Sequence, residues 1–135
     1  IQLVTKAYTY IENDSASGRL TKCKLLGKAM RNAPDTDIQD YLYSRAEKNP
    51  NEIIELYTGS DQALKLMLID AKDKRVIANK SGIWMFSDTM LGATDEAIIM
   101  FLKNPANDGI YQEMKNLTYP DMVVKAKTTK KDNKD

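Results

Sequence analysis

Apolar and polar positions alternate along this chain in runs short enough to suggest many small elements. Leu3 to Ile11 is rich in β-branched and aromatic residues, and Arg19 to Leu26 is a second mixed run. Between them Glu12 to Gly18 is a cluster of turn formers. Together they predict an N-terminal β-hairpin with a long polar loop. A lone hairpin is marginal in water, so this one must pack on helices or add to a partner's sheet.

Helical spacing follows. Ile38, Tyr41, Leu42 and Ala46 fall on one face of a helix over 37–48, with Asp35 or Thr36 as its cap. Asn49-Pro50 restarts the chain, because Pro at the first helical position loses no hydrogen bond there. A helix over 50–58 then turns Ile53, Ile54 and Leu56 inward and stops at Gly59. The clearest amphipathic segment is 61–74, with Leu64, Met67, Leu68 and Ala71 at i, i+3, i+4 and i+7.

A second hairpin is expected from Val76-Ile77-Ala78 and Ile83 to Phe86 around the polar turn 79–82. Ser87-Asp88 and Leu91-Gly92 read as a loop. Thr94 caps a helix over 95–103, and Asn104-Pro105 opens a last one to about Leu117, stopped by Tyr119-Pro120. Met122-Val123-Val124 can add a short strand or anchor. The expected architecture is thus one α+β domain over 1–124: an N-terminal β-hairpin, several short helices and a second β-hairpin, compatible with a winged-helix-like arrangement. Leu64, Met67, Leu68, Trp84, Phe86, Ile98, Phe101 and Leu102 should form its buried cluster. Met67, Met85, Met90, Met100, Met114 and Met122 recur through the second half, and most of them read as core filler.

The chain has 135 residues, 20 basic and 19 acidic, with no His and a net charge of +1. Five of the 20 basic residues and two of the 19 acids fall in 125–135, leaving a +3 tail and a −2 body. A mobile basic tail is expected there. Without His there is no Ser-His-Asp or Cys-His catalysis and no His-bearing zinc site. The lone Cys23 excludes an internal disulfide and suggests an intracellular or assembled setting. The longest apolar run, Ala97 to Leu102, is far short of a membrane span. No signal peptide is visible, and the start at Ile1 rather than Met points to processing or a missing front.

Catalytic signals are weak. Glu52 with Glu55, and Asp95 with Glu96, sit in first helical turns, where the helix dipole alone favours acids. No phosphate-binding or dinucleotide-binding glycine motif occurs, so no enzyme, metal or cofactor is expected. Asn13, Asn79 and Asn116 begin glycosylation-type triplets that read as incidental.

Two partner modes emerge. Tyr8, Thr9, Tyr10 and Thr21 lie on the first hairpin, whose open edges suit strand addition to a protein partner. Lys65 and Lys72 on the amphipathic helix, with Lys80 on the hairpin tip, are the candidates for nucleic-acid contact. Asp61, Asp70 and Asp73 dilute that helix face, so nucleic acid is the less favoured partner.

The run Lys72 to Asn107, with Leu91-Gly92-Ala93-Thr94 and Phe101-Leu102-Lys103-Asn104-Pro105, resembles small uncharacterised proteins of tailed bacteriophages. The resemblance implies a virion or host-cytoplasm setting and carries over no catalytic residue. The function read from these features is a non-enzymatic interaction or structural protein, a component of a larger assembly. A DNA-associated winged-helix-like regulator is the alternative.

Overall fold

The structure, a computed structural model, describes residues 2–121. Two compact units divide after Gln62. The 122–124 strand or anchor and the basic tail lie outside the described residues. Among the described residues no helix is long and apolar enough to cross a membrane.

The first unit holds α1 (Gln2–Asn13), α2 (Ala16–Leu25), α3 (Asp35–Lys48) and α4 (Pro50–Thr58). There is no N-terminal hairpin: residues 3–25 are almost wholly helical, which overturns the expected fold. The reason lies in the spacing. Val4, Ala7, Tyr8 and Ile11 stand at i, i+3, i+4 and i+7, and Ala7 and Ile11 are fully buried. That 3.6-residue period outweighs the β propensity of the individual residues, because burying one face is worth more than propensity. The polar run between the helices is a junction, not a hairpin loop. The Ser15 side chain caps α2, accepting from the Gly18 N–H at 3.0 Å. At its other end α2 closes in a Schellman motif. Lys28 N–H donates to Cys23 C=O and Gly27 N–H to Lys24 C=O, both at 2.9 Å, with Gly27 at φ +84°.

Two expected helices reappear in this unit. The Asn49 side chain accepts from the Glu52 N–H, and Pro50 opens α4. Helix α3 begins at Asp35, after Pro34, without a side-chain cap. Asp35 is instead turned to an ion pair with Arg19. Ala7, Ile11, Cys23, Ile38, Leu42, Ala46, Ile53 and Leu56 make the core, with Tyr8, Tyr41, Tyr43 and Tyr57 packed at its margin.

The second unit is α5 (Gln62–Asp73), β1 (Ala78–Lys80), β2 (Ile83–Phe86), β3 (Thr89–Gly92), α6 (Asp95–Lys103), a 3-10 turn (Pro105–Asn107) and α7 (Asp108–Thr118). The strands form one antiparallel sheet in the order β1-β2-β3. The expected second hairpin is therefore part of a three-stranded sheet, and the structure does not sustain the two-hairpin, winged-helix-like description. Its turn is only Ser81-Gly82, at φ +55° and +91°, the pair of left-handed residues that a tight two-residue hairpin loop needs. Strand β3 occupies what the sequence suggests is a loop. It has no strong pattern of its own and exists because β2 offers it an edge.

The expected core holds together. Met67, Leu68, Phe86, Ile98 and Leu102 are buried in one cluster, against which Leu64, Trp84 and Phe101 pack half-buried. Ile77, Leu91, Ile99 and Met114 complete it. Thr94 caps α6, accepting from the Ala97 N–H at 3.2 Å. Asn104 opens the turn at Pro105, its side chain accepting from the Ala106 N–H at 3.0 Å.

Gly92 joins the sheet to α6. Its φ is +155°, and a Cβ there would stand 2.8 Å from the Ala97 Cβ and 3.3 Å from the Ile98 N. Gly92→Ala is expected to destabilise the chain by about 1–3 kcal/mol, through strain and clash together. Urea unfolding followed by Trp84 fluorescence measures it; an unchanged midpoint would show that β3 and α6 can move apart freely.

Candidate functional site

The register of the sheet decides what each face presents. Ala78 pairs with Met85, Lys80 with Ile83, and Met85 with Met90. Directly opposed residues share a face, so Ala78, Lys80, Ile83, Met85 and Met90 lie on one side. Trp84, Phe86 and Leu91 lie on the other and enter the core. An irregularity at Trp84/Met85 accommodates the extra residue of β3 and keeps Leu91 inward. None of Ile83, Met85 and Met90 belongs to the unit's core. Met90 is 63% exposed, while Ile83 and Met85 are half-buried. The unit thus carries an apolar row across the outer face of its sheet, with Lys80 on that face and Asp88 in the turn at the far end. This is the candidate contact site. Methionine suits such a surface, since its unbranched thioether adapts to differently shaped partners.

Two of the methionines expected as filler are exposed, Met90 and Met100, the latter at 75%. Met67 and Met114 do fill the core. The signal for the outer face is present in the sequence: if Trp84 and Phe86 face inward, Ile83 and Met85 must face outward.

The residues expected to bind a partner by strand addition sit on helices. Tyr8 is half-buried on α1, donates to a Glu47 carboxylate oxygen at 2.6 Å and meets Tyr43 edge-on with ring centroids 4.9 Å apart. Tyr10 stacks on Tyr57 at 5.3 Å. Thr9 and Thr21 turn their hydroxyls back to the Thr5 and Ser17 carbonyls at 3.0 and 3.1 Å, as helical threonines do. Residues 3–25 offer no strand edge, so strand addition there is corrected.

The three lysines are not alike. Lys65 is exposed on α5 and Lys80 is exposed at the end of β1. Lys72 is held within the unit, its Nζ 2.7 Å from an Asp95 carboxylate oxygen and 4.5 Å from the Trp84 ring centroid. Lys72 is thus already engaged by groups of its own unit, whereas Lys65 and Lys80 project from it.

The densest polar cluster belongs to the first unit. Arg19, 8% exposed, donates to the Ile11 and Asp14 carbonyls at 3.0 and 2.6 Å, and to both Asp35 carboxylate oxygens at 3.1 and 2.8 Å. It satisfies carbonyls left open at the end of α1 and ties that end to α3. Nearby, Asp14 accepts from the Tyr57 hydroxyl at 2.8 Å. Burial, then this bond, raises the Tyr57 hydroxyl above the ordinary tyrosine range. Burial also pushes the Cys23 thiol up to about 11, so it is a packed, unreactive group. Among the described residues no cluster of three or more Cys, Asp or Glu could hold a metal.

The Arg19 guanidinium holds the Asp35 carboxyl below the usual carboxylate range; partial burial opposes the effect and Gln39 adds to it. A lowered folded value contributes stability that is complete above the unfolded value of about 3.9. It is lost as the pH falls through the lower, folded value. Thermal melts between neutral and strongly acid pH should therefore show the first unit weakening below the ordinary Asp range. Asp35→Asn should flatten that part of the profile; identical profiles would remove the pair from the acid response.

No protein-family model, curated protein or solved structure matches the chain.

Proposed function

We propose that the chain is a non-enzymatic interaction protein, a component of a larger assembly, and that the outer face of the sheet is its contact surface. The observation that carries this reading is the row of Ile83, Met85 and Met90, which lies outside the unit's core and ends in the 63% exposed Met90. Apolar surface left in water forgoes about 25 cal/mol per Å² that a partner would recover. The resemblance of residues 72–107 to small tailed-phage proteins is the basis for proposing a virion as the setting.

Met90→Lys separates a contact role from a folding role. A change at so exposed a position should shift stability by no more than about 0.5 kcal/mol. It should nevertheless abolish whatever association the intact chain shows by light scattering. An association that survives the change would remove this face from the contact.

A further inference from the structure

We propose that the outer sheet face takes a second copy of this chain, packed face to face about a two-fold axis that runs across the strands. The proposal rests on the reading above, in which that face is the contact surface, and names its occupant. Three observations select a second copy.

The first is the shape of the apolar row. Ala78, Met85 and Met90 cross all three strands side by side, with Ile83 one step along. A sheet face that carries an apolar row across its strands can stack on a like face, with side chains filling a spacing of about 10 Å.

The second is where the charges stand. Lys80 shares the face and is exposed at one end of β1; Asp88 is exposed in the turn at the opposite end of β2. A two-fold axis across the strands reverses strand direction. It brings Lys80 of each protomer over the end of the sheet that holds Asp88 of the partner subunit, so that opposite charges face one another at both ends. An axis along the strands leaves both charges without a counterpart. Self-complementarity of this kind is what an isologous contact requires.

The third is net charge. The whole chain carries only +1, so two copies meet with little mutual repulsion. Three short strands cover less than the roughly 800 Å² per partner of a stable interface, so the pair is a transient one. Such a contact suits subunits held together many at a time, where linked weak contacts reinforce one another.

Sedimentation equilibrium of the full chain, loaded at about 10 µM to 1 mM, tests this. The weight-average mass should climb from 15.3 kDa towards twice that value. Met90→Lys should weaken the dimer at least tenfold while leaving the circular dichroism melt in place. Lys80→Asp alone should also weaken it, and Lys80→Asp combined with Asp88→Lys should restore it. A monomer at every concentration overturns the proposal. So does a dimer indifferent to Met90→Lys, which also removes the face as a contact surface. If Met90→Lys weakens the dimer but the double charge reversal does not recover Lys80→Asp, the two-fold arrangement is overturned while the contact surface stands.

Discussion

Thr9→Pro should destabilise the first unit by about 3 kcal/mol or more. Thr9 lies inside α1, where its N–H belongs to the helical ladder and its hydroxyl bonds the Thr5 carbonyl at 3.0 Å. Proline removes the N–H and drives its ring against the Thr5 carbonyl, one turn back. The damage spreads because α1 supplies Ala7 and Ile11, both fully buried, to a core that also contains Leu42 and Ile53. Hydrogen exchange reads the result locally: protection should fall across α1, α3 and α4. Thr21→Pro should act in the same way through α2, which supplies Cys23. A loss below about 1 kcal/mol at Thr9 would be too small for a helix interior and would reopen the assignment of this segment.

Leu68→Ala should cost about 2–5 kcal/mol. Leu68 is 1% exposed on α5 among Met67, Ala71, Ile98 and Leu102, so truncation leaves a cavity that the surrounding helices and sheet can only partly close. Met90→Ala removes an apolar side chain of similar size from the same unit, yet should change stability by about 0.5 kcal/mol or less, since Met90 stands largely in water. Urea unfolding of the two variants side by side gives the comparison. Equal losses would mean that Met90 is covered within the folded chain, and the outer sheet face would no longer be available to a partner.

Much of the helical framework is legible in the sequence. Asn49-Pro50 and Thr94 each announce a helix start, and in the structure each side chain accepts the backbone N–H that the start leaves open; Asn104-Pro105 opens a 3-10 turn in the same way, and the last helix begins only at Asp108. Leu64, Met67, Leu68 and Ala71 announce the inward face of α5, and three of the four are fully buried. The N-terminal segment departs from the expected hairpin because two local signals conflict there. Tyr8, Thr9 and Tyr10 favour a strand by type, while Val4, Ala7, Tyr8 and Ile11 favour a helix by spacing. Of the candidate contact site, the strand Ile83 to Phe86 and Lys80 beside its turn are legible in the sequence. The strand that completes the site, β3, is not, because Ser87-Asp88 and Leu91-Gly92 carry a loop signal.

The sequence by itself determined the features that a few neighbouring residues can settle: the caps at Asn49, Thr94 and Asn104, a turn ending at Gly82, and the face that α5 turns inward. Caps and tight turns are closed by hydrogen bonds within a few residues, so composition over that span decides them. Only the tertiary structure decided the rest. Residues 3–25 became helices because a shared core rewards burying Ala7, Ile11 and Cys23 together. Thr89 to Gly92 became a strand because β2 supplied an edge and Gly92 let α6 approach. Met67 went inside and Met90 outside, and Lys72 closed on Trp84 and Asp95, because those outcomes depend on groups far along the chain, for Lys72 12 and 23 residues away. Burial and pairing at such distances are properties of the assembled neighbourhood, and no single stretch of chain contains them.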